Sequence, residues 1–586
     1  MADTLDSLLK RLVAGGLRHA GREAPARAAL AMDAARCVAA CASRWTETTV
    51  AIKQKSLATM TGSGCIGSGS GYAPGFRFPE IWAEEMATGP LATLRLLLVT
   101  ARALQEVAAN RSSSHTARLL LVSALSSGPA SGKNSAPTVS VNVVPARELY
   151  DHVIFRGHSG AVLCDNPGGS REAFVEAWQR EAVERPAEGG VALVLGAGNV
   201  SGLAPADAIC QIFEHGRAVL LKLHPLHAPL VEILNAALEP LVAAGLLAIV
   251  VADAGWAQAA LSAPLVTHVH LTGGQAAFKA LVWGSVDAGL PDRKPVLTKP
   301  ITCELGNVTP WIIVPGRYTS AQLRCQADTV AASIAHNSSL NCIATKVIIT
   351  CRSWRQRDEF LARITDRLQG LPPRPAWYPG SVAAWETLTA QQAPANGLLP
   401  VVFRTNLDPQ AEPQWLAREW FTPAAAEITL EADSVAGFVT QAAAFTHALP
   451  GTLAASVTAP DGGAVAEKQC VAMLLEHLHY GVVALNCWSA LAYAWGSVPW
   501  GGFPGATLND PASGIGYIHN PLLLPMVRQS IIRAPLVVWP KPPWFPWHPR
   551  GFQLAHGVVQ MYAAIANGSR GTASLLRMLP DVLRGA

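Results

Sequence analysis

The chain has 586 residues, half of them apolar and only 15% charged, with 45 basic against 41 acidic side chains and a net charge of +4. That length suits two or three domains of roughly 100–200 residues each, and the near balance of charge, without a Lys/Arg cluster, argues against nucleic acid as a partner. Eleven scattered cysteines without a CxxC pair argue against zinc and for a reduced, cytoplasmic protein; no secretory signal and no uncharged apolar run long enough to cross a bilayer is expected.

Residues 1–60 read as helices, the first amphipathic and the second carrying an Ala-rich stripe over 26–42. A Gly/Ser-rich stretch follows, with a literal GxGxxG at Gly62, Gly64 and Gly67. It lacks the strand before and helix after that a dinucleotide fingerprint requires, so a flexible loop is expected. Residues 80–110 have a strong helical pattern, 135–165 alternate as strands, and 170–186 form another helix. From Val191 strands and helices alternate through VALVL, AVLLKL, LAIVV and HVHLTGG, which predicts a parallel, doubly wound sheet. A second α/β unit starts at ELGN, with strands WIIVP, KVIITC and AAEITL. The Pro-rich 370–400 stretch, PPRPAWYP in particular, is expected to be a surface loop. The tail holds three tryptophans beside five prolines, and then a short amphipathic helix that Pro580 should interrupt.

Three residues carry chemistry. Cys342 sits where the polar run HNSSLNC breaks into a β-branched strand, at a loop-to-strand edge from which a thiol can attack a carbonyl carbon. Glu304, in TCELGN, is placed to activate water. Asn199, in LGAGNVSG, offers an amide to an oxyanion, although Asn is also a common helix cap, and GAGNVSG reads alternatively as a loose pyrophosphate loop. Cys303 is the rival thiol, but neighbours on an extended segment point to opposite faces. Lys222 ends an apolar strand and needs a partner for its ammonium. Thr272, Gly273 and Gly274 end another strand, where glycine permits close approach of a phosphate.

These segments, together with LLKLHP, EWFTP and GVVALNCW…PWGG, resemble the aldehyde dehydrogenase superfamily in their order over about residues 85–505. The resemblance implies an α/β fold with two doubly wound domains and an oligomerisation β element. Residues 1–134 would be the helical start of the cofactor domain, 135–165 the oligomerisation segment, 166–303 the dinucleotide-binding domain, 304–505 the catalytic domain and 506–586 a C-terminal extension. It implies Cys342 as nucleophile, Glu304 as general base and Asn199 as oxyanion donor. For NAD or NADP it implies Lys222, His224, Thr272, Gly273, Gly274, Glu419 and Phe421. No metal is expected.

Pro225 stands where many NAD-specific members carry an acid, so NADP is admitted alongside NAD. The sequence departs from the family in having Leu340-Asn341 in place of Gly-Gln before the cysteine, and Ala197-Gly198 in place of Pro-Trp before Asn199. The implied reaction is oxidation of an aldehyde, hydrophobic by the composition, to a carboxylic acid in a homo-oligomer, dimer or tetramer. Acyl reduction linked to coenzyme A and a weakly catalytic scaffold are the alternatives. For the tail, packing on the protein and a peripheral membrane contact are both open.

Overall fold

The computed structural model describes residues 4–61, 79–112, 125–128, 137–146, 148–166, 168–184, 189–285 and 294–585. The GxGxxG stretch lies outside them. Two sheets organise the chain. In the first, Leu247–Val250, Ala218–Lys222, Val191–Leu195, Val266–Thr272 and Ile301–Glu304 run parallel in that spatial order, and Gly514–Ile515 closes the edge antiparallel to Ile301–Glu304. Val191–Leu195, Ala218–Lys222 and Leu247–Val250 are apolar on both faces but for the terminal Lys222, as strands covered by helices on both sides are. The chain starts at Val191–Leu195 in the middle, moves outward to one side and returns to Val266–Thr272 on the other. The gap between those two strands at their carboxyl ends is therefore a topological switch point, where α/β sheets bind ligands.

The second sheet has ten strands. Seven run parallel: Val402–Arg404, Ala424–Leu430, Val347–Cys351, Pro310–Ile313, Ala454–Thr458, Val482–Leu485 and Val527–Arg533. Ser159–Asp165, Thr138–Val144 and Leu125–Gly128 extend it antiparallel. The segment expected to serve oligomerisation is thus annealed within the same chain, through Val527–Arg533, to the sheet whose strand Val347–Cys351 follows Cys342. Residues 514–533, beyond the boundary drawn at 505, contribute strands to both sheets.

Three local expectations need correction. The 80–110 helix divides into Pro79–Met86, a π-turn at Ala87–Leu91 and Ala92–Ser112. Pro90 has no N–H for a regular turn, and the widened turn accommodates it. PPRPAWYP is not a surface loop, since Arg374–Trp377 are buried. Arg374 forks onto Glu84 at 2.7 and 2.8 Å, and the Lys53 ammonium lies 4.3 Å from the centre of a Trp377 ring. Finally, the last helix runs unbroken over Thr572–Gly585 with Pro580 inside it. Pro580 is on the exposed side, where water can serve the carbonyl that loses its donor.

The tail packs on the protein. Helix Gly551–Ala566 lies against the N-terminal helices, with Phe552 edge-on to Trp82 and the Arg36 guanidinium donating to the Ala566 carbonyl. Trp544 meets Trp488 at 5.0 Å, and Arg367 lies 4.6 Å from the Trp547 ring centre.

Candidate active site

Cys342, the expected nucleophile, sits on an irregular loop between helix Ser320–Ala335 and strand Val347–Cys351. Asn337, Ser338 and Ser339 all have left-handed backbone, φ 54°, 56° and 60°. That conformation costs an L-residue roughly 1–2 kcal/mol each, so the surroundings must hold it. Asn337 donates to the carbonyls of Asn199 and Leu340, both at 3.0 Å, and accepts from the Lys53 ammonium. Lys53 in turn pairs with buried Glu85. From the other side Lys346 donates to the Ser339 carbonyl and hydroxyl at 3.1 and 2.8 Å and to the Thr422 carbonyl at 3.0 Å. Two buried lysines thus clamp the loop that presents Cys342.

Cys342 and Glu304 come together. The thiol donates to Glu304 Oε1 at 3.3 Å, and the Trp500 indole donates to Oε2 at 2.8 Å. Glu304 ends strand Ile301–Glu304 at the seam between the two sheets. Burial, and then the charge of Asp207, push its carboxyl up to about 7. Burial, and then the neighbouring Glu304 charge, raise the Cys342 thiol well above its ordinary value. The pair therefore rests as a protonated thiol beside a carboxyl that titrates near neutrality, the poise of a general base. Cys303, the rival thiol, is fully buried, pairs across to Leu271 and Ile515, and is pushed up to about 12, chiefly by burial.

Asn199 is buried, and its side-chain amide donates to the Leu340 carbonyl at 3.2 Å. It does not cap the following helix, which starts at Leu203 with Gly202 as its cap. One amide hydrogen therefore ties the Asn199 turn to the nucleophile loop, and the second is free for an oxyanion.

The sequence reading missed four residues here. Trp500 orients Glu304. Asp207 accepts from Thr272 at 2.9 Å and stands 3.6 Å from His270, in a buried polar cluster behind Glu304. Tyr493 has a buried hydroxyl without a hydrogen-bond partner, and Glu304 and Cys342 are among the groups that act electrostatically on it. Its ring meets that of Trp500 at 5.4 Å. Lys346 is buried among carbonyls. None of the four has a local sequence signal, except that a lysine or aspartate on an otherwise apolar element marks a buried polar contact.

The expected cofactor residues gather at the carboxyl edge of the first sheet. Lys222 ends Ala218–Lys222, beside Leu195. His224 packs on Gly198, where a Cβ would lie 2.3 Å from its Nδ1, so the imidazole fills the space that a larger residue before Asn199 would need. Burial, and then Lys222, lower His224 and keep it neutral. Thr272 turns inward to Asp207, and the Gly273 amide donates to the Glu304 carbonyl at 3.0 Å. Gly274 faces open space and caps helix Gln275–Trp283 without a side-chain bond, so the first amides of that helix are free for an anion.

Across the cleft, Glu419 lies so close to Gly306 that a Cβ there would be 1.9 Å from Oε2, while its buried Oε1 has no partner. Burial pushes this carboxyl up to about 7, with Lys346 the main opposing charge. Tyr378, from the Pro-rich stretch, stacks on His224 at 5.9 Å and meets Phe421 edge-on at 5.3 Å. An aromatic row thus joins the two sets. Among the described residues no group of His, Cys, Asp and Glu is arranged to hold a metal ion, and no helix is long and apolar enough to cross a membrane.

A switch-point cleft facing the half-buried Cys342 and the buried Glu304 defines the candidate site of this two-sheet α/β protein. Residues 167–381 match the sequence model of the aldehyde dehydrogenase family. Solved structures share the fold. An NADP-dependent enzyme from E. coli is 14% identical, over 90% of this chain and 89% of that one, with a TM-score of 0.55. Aldehyde dehydrogenase 21 from Physcomitrella patens, in complex with the reaction product succinate, gives 14% identity over 90% and 89%, also with a TM-score of 0.55. The NADP-dependent glyceraldehyde-3-phosphate dehydrogenase from Bacillus halodurans, complexed with NADP, gives 15% over 90% of each chain and 0.52. No curated protein sequence matches the chain. The sequence match to the aldehyde dehydrogenase family spans residues 167–381, and the likeness to the solved structures is one of fold.

Proposed function

We propose that the chain oxidises an aldehyde to the carboxylic acid with NAD(P)+ and water, through a thioester on Cys342. The observation that carries this reading is the 3.3 Å contact between the Cys342 thiol and a Glu304 carboxyl titrating near 7. In its ionised form Glu304 accepts the thiol proton as sulfur adds to the carbonyl carbon. The second amide hydrogen of Asn199 and the unpartnered Tyr493 hydroxyl are the donors available to the oxygen that becomes negative. The bound dinucleotide supplies the two-electron acceptor for the aldehyde C–H bond. Glu304 gives the thiol proton up to solvent and, ionised again, takes a proton from water as that water attacks the thioester; it passes this proton to the departing sulfur, which releases the acid and regenerates the thiol.

The residues fit such a cofactor on two observations. Glu419 Oε1 is buried and unpartnered, as a carboxylate awaiting a hydroxyl would be, and Gly274 opens a helix N-terminus to free space. Lys222 and His224 would take the ribose or its phosphate. Glu304 supports release of free acid over transfer to coenzyme A, since only hydrolysis needs activated water.

The test is NAD(P)H formation from a panel of short and long aldehydes, with and without coenzyme A. Turnover without coenzyme A, stoichiometric free acid, and loss of both in Cys342→Ala with dinucleotide affinity retained are expected. A strict requirement for coenzyme A, or full activity in Cys342→Ala, overturns the reading.

A further inference from the structure

The last helix, Thr572–Gly585, has one face committed to the protein and another that none of the described residues covers. Ser574, Met578 and Gly585 form the committed face and are buried. Met578 fills the space beside Gly557, where a Cβ would lie 2.4 Å from its Cγ, and Gly585 packs on His548. On the opposite face Leu576, Leu579 and Leu583 are 72%, 51% and 60% exposed. Their spacing of three and four residues sets them in one stripe, a costly arrangement in water for three large side chains on one fourteen-residue helix.

The charges beside the stripe are of one sign. Arg577 and Arg584, seven residues apart, lie along one shoulder and are exposed, and exposed Arg570 precedes the helix. The helix has one acid, Asp581, which is partly covered and stands 3.9 Å from Arg550. The free face therefore offers leucine and arginine without a carboxylate.

We propose that this face is a docking surface for an anionic lipid bilayer. The leucines enter the acyl boundary while the arginine stems run along it and keep their guanidinium groups among the phosphates. The charges argue against a second copy of the chain. A two-fold contact presents the same patch from both sides and would set Arg577 and Arg584 against their own counterparts. The net charge of +4 adds long-range attraction of the same sign. Of the tail tryptophans, Trp544 and Trp547 are engaged with Trp488 and Arg367 and are not the anchor, while Trp539 is 60% exposed. The proposal is independent of the catalytic reading.

The experiment is co-sedimentation of the full chain with phosphatidylcholine vesicles, with and without one-third phosphatidylglycerol, at low and high salt. Binding to the anionic vesicles alone, weakened by salt, is expected. Leu576→Ser/Leu579→Ser/Leu583→Ser and Arg577→Gln/Arg584→Gln should each lower it by at least about tenfold. Size-exclusion elution and NAD(P)H-forming activity should stay unchanged. The arginine pair keeps the test informative if the leucine variant misfolds. Absence of vesicle binding, equal binding by the arginine variant, or a smaller oligomer in the leucine variant overturns the proposal, the last by identifying the stripe as a subunit contact.

Discussion

Glu304 is fully buried beside Cys342, with Trp500 supplying an indole donor to its second oxygen. Its folded value near 7 exceeds the ordinary 4.5. The sign follows from that direction. Stability associated with the protonated carboxyl is fully present below pH 4.5 and is lost as pH rises through 7. Glu304→Gln removes the ionising group, so this variant should melt higher than the wild type at pH 8, by up to about 3 kcal/mol of unfolding free energy. The advantage should vanish near pH 4. Differential scanning calorimetry at the two pH values checks it. The same variant should accumulate an acyl adduct on Cys342, visible by intact mass after one turnover. Rapid release of free acid would remove Glu304 from the role of base.

Trp500→Phe takes a donor from the ionised carboxylate. A hydrogen bond to a charged group is worth about 1.5–3 kcal/mol, so the acid limb of the pH–rate profile should move up by roughly 1–2 pH units. A structural role alone would lower the rate at every pH without moving that limb.

At the scale of elements, the nucleophile loop is formed less by its own sequence than by what encloses it. Asn337–Ser339 are left-handed without a glycine among them, and the compensation comes from Lys53 on the second helix and from Lys346. Lys53→Met should destabilise the fold by about 3–5 kcal/mol, because Glu85 is left buried and unpaired. Adding Glu85→Met should restore most of that stability. Turnover should stay depressed in the double variant, since Asn337 still lacks its donor. Recovery of both together would show that the pair holds the fold and not the loop. At the strand end stand Lys222 and neutral His224, with Asp253 the acid whose charge acts on Lys222. Lys222→Ala should weaken NADP+ more than NAD+, by about tenfold for a lost contact between a charged group and phosphate. Equal losses in a fluorescence titration would remove Lys222 from phosphate recognition.

The whole molecule is closed by its ends. Strands 514–515 and 527–533 complete the two sheets, and helix Gly551–Ala566 covers the N-terminal helices. Truncation after Ala534 leaves the sheets intact but uncovers that apolar surface. Aggregation on size-exclusion chromatography and a lower melting temperature are expected. An unchanged elution volume and melting curve would show that the C-terminal helices are dispensable.

Local pattern determined much of this chain. Alternating strands and helices from Val191 onward, and the run of polar residues before Cys342, are properties of neighbouring residues. Short-range periodicity reports them directly, which is why the α/β class was legible and why Cys342, Glu304 and Asn199 could be singled out as candidates. The resemblance in motif order pointed to the aldehyde dehydrogenase superfamily, whose family model matches residues 167–381. What only the tertiary structure decided is long-range. The 3.3 Å approach of Cys342 to Glu304 depends on where two sheets meet. The pairing of Ser159–Asp165 with Val527–Arg533 joins strands some 370 residues apart, and no local pattern encodes such a partner. PPRPAWYP has the composition of an exposed loop, yet its Arg374–Trp377 are buried because Glu84 and Lys53, about 290 and 320 residues away, meet Arg374 and Trp377. Burial energies depend on which surfaces come together, and that is a property of the folded chain rather than of any segment within it.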